Sequence, residues 1–164
     1  MKRSLIIACI SILSGTAIGA APAFQSFDKA RFYSVMASGK IGAVDSELSI
    51  VAVATVAEKE AYEGALLMRK AGLLSGPREK LVTFRSGAVK LERSLARDSA
   101  NAEYHFLRLM IQEHAPAIVH YNKDKERDSR VVIRAFPRLP PVLQNAIRDY
   151  WPYSRTLQET KLNG

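Results

Sequence analysis

The chain has 164 residues, with 24 Lys and Arg against 16 Asp and Glu, three His and one Cys. A hydrophobic share of 48% excludes a disordered polyelectrolyte, and acids interleaved among the bases exclude the like-charged blocks of a nucleic-acid-binding arm. The single Cys excludes a disulfide framework, so stability has to come from a packed core.

The first residues, Met1-Lys2-Arg3, are followed by an apolar run from Leu5 to Ile18 and small residues to Ala23. This order reads as a secretory signal peptide, residues 1–23, cut after Ala20 or Ala23. The run holds Ser11, Ser14, Gly15 and Thr16 and falls short of the ~20 apolar residues that a membrane span needs. Removal takes Cys9 with it and leaves a cysteine-free protein, exported to the periplasm or beyond, with no transmembrane span. Without Lys2 and Arg3 the balance is 22 basic to 16 acidic residues, +6, enough to favour an anionic surface such as lipid headgroups or acidic glycan. A mixed-charge helical surface explains the same excess without any partner. About 140 residues make one helical domain, 24–155, followed by a polar tail, 156–164.

Phe27, Phe32, Tyr33 and Met36 share one helical face, with Ser26 as N-cap and Gly39 as the stop. Ala43 to Ala71 is long and Ala-rich. Its stretch Ile50–Val56 is β-branched enough for a strand but has no partner strand, so two helices broken near Thr55–Ala57 are predicted. The second of them carries Ala61, Gly64 and Ala65 as a small-residue face and stops at Gly72. Gly64 inside a helix costs about 1 kcal/mol relative to Ala, which close packing explains.

Pro77 occupies the favoured first turn of the next helix. Leu81, Phe84, Ala88, Leu91 and Leu95 form its apolar stripe, and Arg78, Lys80, Arg85, Lys90, Arg93 and Arg97 its basic face. Arg97-Asp98-Ser99-Ala100-Asn101 breaks it. The following helix turns Tyr104, Leu107, Leu109, Met110 and Ile111 inward and ends near Pro116. The charged residues Asn122–Ser129 open a helix with Val131, Val132, Ile133 and Phe136. A proline-rich connector (Pro137, Pro140, Pro141) then leads to a short amphipathic helix of Val142, Leu143, Ala146, Ile147, Tyr150 and Trp151, closed by Pro152.

Gly87, Leu91 and Ser94, followed by Asp98-Ser99-Ala100-Asn101 and Ala102-Glu103, resemble the second helix, turn and next-helix start of a tetratricopeptide repeat. The turn proline is replaced by Ser99. Gly64 stands 23 residues before Gly87 where the family spacing is 12, so the resemblance implies an insertion of about eleven residues. It covers residues 57–115, about one and a half degenerate repeats. The chain as a whole also resembles small exported bacterial helical proteins. Together these imply an all-α fold of about six helices packed as antiparallel hairpins.

No nucleophile elbow, phosphate loop or dinucleotide fingerprint occurs, and no cofactor is expected. His105, His114 and His120 lack the spacing of three or four that a helical zinc pair needs, so no metal is expected either. Glu60 and Glu63 share a helical face as a candidate acid–base pair, although solvated glutamates read the same way. Repeat proteins bind through the face formed by their first helices. That implies a role for Arg108, Gln112 and Glu113, which follow the repeat turn, with Tyr121 and Asn122 beside them. In this reading Arg108 and Gln112 meet a peptide carboxylate or backbone. The competing reading is a buried Arg–Glu pair that ties helices together. Tyr150-Trp151-Pro152-Tyr153 is a further aromatic cluster, for a sugar, a membrane interface or the core. The functional expectation is a non-enzymatic module of the envelope that binds a protein or peptide. The alternative is a basic protein that binds anionic lipid or glycan.

Overall fold

The computed structural model describes residues 26–162, and the expected signal segment with its cleavage sites lies outside them. The described residues are all-α, with eight α-helices, three short 3-10 turns and no strand. Eight helices form where about six were expected, and the one without a counterpart in the sequence pattern is the last, in the residues expected as a polar tail.

Helix α1 (Lys29–Ser38) starts at Asp28, whose carboxylate accepts the Arg31 amide at 2.6 Å, so the cap falls two residues after the predicted Ser26. Gly39 ends it in the left-handed region, φ 64°, where a Cβ would be strained. Helix α2 (Ile41–Val53) absorbs most of the β-branched stretch, and the break falls at residues 54–58, as the sequence predicts. Phe32, Tyr33 and Met36 are buried, and Phe27 stacks on Tyr62 with ring centroids 4.9 Å apart. That contact fastens the start of the chain to α3.

Helices α3 (Lys59–Leu73) and α4 (Pro77–Arg97) form the most extensive interface in the molecule. Gly64 and Gly87 face each other across it. A Cβ on Gly87 would lie 2.5 Å from the Gly64 carbonyl oxygen and 2.9 Å from the Met68 amide nitrogen. A Cβ on Gly64 would lie 2.8 Å from both the Gly87 carbonyl oxygen and the Leu91 amide nitrogen. The two backbones therefore touch, which only glycine on both sides permits. Phe84, Leu91, Ser94 and Leu95 line the same seam, whereas Leu81 remains 38% exposed, contrary to its place in the predicted stripe.

No eleven-residue insertion occurs. Residues 74–76 join the two helices, and the extra length lies in the arms, each about one and a half turns longer than a repeat unit would give. Gly72 does not stop α3 but lies within it, with no atom near the position a Cβ would take.

Asp98 closes α4, and the Asn101 side chain caps α5 (Ala102–His114) by accepting the Glu103 and Tyr104 amides at 3.1 and 3.4 Å. Such a cap is worth about 1 kcal/mol. Helix α5 is the central element. From Ala102 to Leu109 every residue is buried, because α1, α3, α4 and α6 surround it. Helix α6 (Lys125–Ala135) packs on α5, and α7 (Pro141–Tyr150) on α1.

The residues expected as a polar tail form α8 (Arg155–Leu162), which packs on α6. Its start is capped twice. The Ser154 hydroxyl accepts the Leu157 amide at 3.1 Å, and the Glu113 carboxylate accepts the Thr156 amide at 3.0 Å. Leu157 is fully buried, and the Thr160 and Ser129 hydroxyls meet at 2.6 Å.

Candidate functional site

Helix α5 carries four buried polar side chains, Glu103, His105, Arg108 and Gln112, and two clusters form on its flanks. Toward α1 and α3, Glu103 accepts the hydroxyls of Tyr33 and Tyr62 on one oxygen and Lys29 on the other, each at 2.8 Å. Burial and then the Glu103 charge push both tyrosines above their ordinary range, so each stays protonated and donates.

Toward α4 and α6 lies Arg108, only 6% exposed. Its Nε donates to Asp128 Oδ2 at 2.8 Å and its Nη2 to Oδ1 at 2.7 Å, a two-pronged pair. Its Nη1 donates to Glu92 Oε2 at 2.9 Å. Burial alone would lower the guanidinium, but Asp128, Glu92 and Asp124 outweigh it and hold it above its ordinary value. His105 completes the cluster, with Nδ1 2.6 Å from Asp128 Oδ1 and Nε2 2.9 Å from the Ser99 carbonyl oxygen. That carbonyl can only accept, so Nε2 is the donor. Tyr121 donates its hydroxyl to Glu92, and its ring meets Phe84 edge-on at 5.4 Å.

The structure thus places the predicted site residues apart and faces most of them inward. Arg108 and Tyr121 belong to one buried network whose partners are in this chain. Glu113 lies on another side, accepting Tyr150 at 2.7 Å and capping α8. Gln112 is buried with its carbonyl oxygen unpaired, and Asn122 is exposed. The paired carboxylates proposed from the sequence are both engaged by bases of α4. Glu60 takes Arg93 and Arg97, and Glu63 takes Lys90 at 2.8 Å. His114 faces the Met110 carbonyl at 2.9 Å.

A groove of about 590 Å³ lies between α1 and α7. Small side chains of α1, Ala30, Ser34 and Ala37, form one wall at spacings of four and three residues. Val142 and Ala146 of α7 form the other, and Tyr33, Met110 and Tyr150 lie between. Lys40 and Asp149 supply opposite charges, and Tyr153 contributes a side chain that is 78% exposed. A smaller recess of about 380 Å³ lies over the Glu60 and Glu63 ion pairs.

Sequence reasoning missed Asp128 and the groove. Asp128 sits in a run of charges, and its only distinguishing sign is phase, four residues before the buried Val132. The Ala30-Ser34-Ala37 spacing was visible, but nothing in it tells that α7 stops short of covering it.

Among the described residues no helix is long and apolar enough to cross a membrane, and no group of three or more His, Cys, Asp or Glu could hold a metal ion. No family model matches the chain, and neither a curated protein nor a solved structure is significantly similar to it.

Proposed function

We propose that this chain is an exported, non-enzymatic interaction module of the cell envelope that holds a short amphipathic segment of a partner protein in the α1/α7 groove. The observation that supports this reading is the groove itself, an open channel with a mostly apolar lining and one charge of each sign. Such a channel suits an apolar helical stripe, with the partner's flanking charges set by Lys40 and Asp149. The role first given to Arg108 passes to these residues, because its donors already serve Asp128 and Glu92. In the same reading α3 to α5 form a degenerate tetratricopeptide hairpin with lengthened arms, a scaffold that holds α1 and α7 in place.

Selection of peptides from a random display library tests it. Amphipathic sequences with two or three apolar anchors are expected to enrich. Ser34→Trp, which fills the groove from an exposed position, should abolish their binding, and Ser86→Trp on the outer face of α4 should not. Failure to enrich, or binding that survives Ser34→Trp, overturns the reading. Export has its own test. The protein recovered from the producing cell should begin at Ala21 or Phe24, and a retained Met1 would count against a cleaved signal.

A further inference from the structure

The basic face of α4 divides in two. Its C-terminal half is used inside the chain, with Lys90 bound to Glu63 and Arg93 and Arg97 bound to Glu60. Its N-terminal half is not. Arg78 and Arg85 have no carboxylate partner among the described residues. Arg78 also lies in the first turn, at the positive end of the helix dipole, where a cation costs stability.

Between these arginines the same ridge carries exposed valines. Arg78, Val82, Arg85, Val89 and Arg93 follow at spacings of four, three, four and four, a straight line about 22 Å long. Val82 is 59% and Val89 56% exposed, and the partly exposed Leu81 borders them. Valine is a poor helix former, and here more than half of each residue's surface is left exposed. The nearest acid in phase, Glu92, is already held by Arg108 and Tyr121. Among the described residues no element covers this ridge, and no internal ion pair accounts for Arg78 and Arg85.

We infer that the Arg78–Val89 ridge of α4 is a docking surface for an anionic phospholipid bilayer, with the arginines on headgroup phosphates and the valines in the headgroup–acyl boundary. The valines decide between bilayer and soluble polyanion. A polysulfated or nucleic-acid chain would use the arginines alone, whereas a bilayer uses both. This surface is separate from the α1/α7 groove, so either can fail without the other.

Vesicle co-sedimentation tests it, with the protein as it accumulates on expression and the same N-terminus in every variant. Vesicles of about one-third phosphatidylglycerol in phosphatidylcholine should bind it, and phosphatidylcholine alone should not. Arg78→Gln with Arg85→Gln should weaken binding about twentyfold, roughly fivefold per arginine. Arg78→Lys with Arg85→Lys should retain it. Arg130→Gln with Arg134→Gln removes the same charge from exposed positions of α6 and should change binding by about twofold or less. Val82→Asn with Val89→Asn should weaken vesicle binding but leave binding to dextran sulfate unchanged. Helicity by circular dichroism checks that each variant folds. The inference is overturned if the α6 pair matters as much as the α4 pair, if the valine variant binds vesicles like the parent, or if the two vesicle types bind alike.

Discussion

Two helix pairs hold this molecule together by opposite means. Helices α3 and α4 meet through shape, with Gly64 against Gly87 and backbone touching backbone. Helices α5 and α6 meet through charge, with Arg108 and His105 gathered on the buried Asp128. The first seam gains dispersion contacts at its glycine centre and keeps its ion pairs, Glu60 and Glu63 with Arg93, Arg97 and Lys90, at a partly exposed rim, where desolvation costs less. The second keeps ionised groups out of water and is stable only while every member has its partner. A seam built on shape tolerates any residue that fits. A seam built on buried charge tolerates the loss of both sides better than the loss of one.

The largest expected effect follows from that asymmetry. Asp128→Ala takes the two-pronged partner from the buried Arg108, which keeps only Glu92 at hydrogen-bond distance, and the Nδ1 partner from His105, and should cost about 3–5 kcal/mol in urea unfolding. Combining Arg108→Met with Asp128→Leu should cost less than Asp128→Ala alone. If the double change costs more, the charged seam contributes net stability and the contrast fails.

Next comes the glycine seam. Gly87→Ala should cost about 1–3 kcal/mol, because the added methyl meets backbone that cannot swing away. Gly72→Ala in α3 has open space around it and should instead stabilise by up to about 1 kcal/mol. Equal effects at the two positions would mean that propensity, not contact, governs this hairpin.

The turn between the two seams is worth less. Asn101→Ala removes the acceptor for two α5 amides and should lower stability by about 1 kcal/mol. No change in Tm would show that α5 is positioned by its burial alone.

The smallest effect is a pH slope at a third buried carboxylate. Glu47 meets Arg31 at 3.0 Å, but its other oxygen has no partner. Burial raises its pKa above the ordinary 4.5 by more than Arg31 lowers it. The folded state therefore binds this proton more tightly than the unfolded chain. Glu47 should favour folding most at low pH, with that advantage lost as pH rises through 4.5 and beyond. Measured against Glu47→Gln across this range, the parent should lose relative stability with rising pH, and a relative gain would reverse the assignment.

Most of the helices were legible because their signals are local. Pro77 starts α4, Asn101 caps α5 and Gly39 stops α1, each acting on atoms within one turn. The two failures at helix ends have the same cause. Gly72 was read as a stop and α3 ends one residue beyond it, whereas the residues after Ser154 were read as a tail and tertiary contacts override their weak local preference. Helix α8 exists because Glu113, far back in the chain, caps it and because Leu157 finds a place in the core. The candidate site was less legible. Arg108 and Tyr121 were singled out for their chemistry, and their donors are engaged by carboxylates of this chain. Their chemistry is the same in either role, and only the position of Asp128 and Glu92 distinguishes the two.

An all-α chain, helices on either side of the break after Gly72 and the turn from Asp98 to Asn101 follow from the sequence alone. These depend on periodicity, backbone freedom and capping, which act over a few residues. The tertiary structure alone decided which cations are spent and which remain. Arg93 and Arg97 find Glu60 across a helix seam, whereas Arg78 and Arg85, on the same helix, find no carboxylate among the described residues. Charge pairing depends on distances between segments, and no local pattern encodes those.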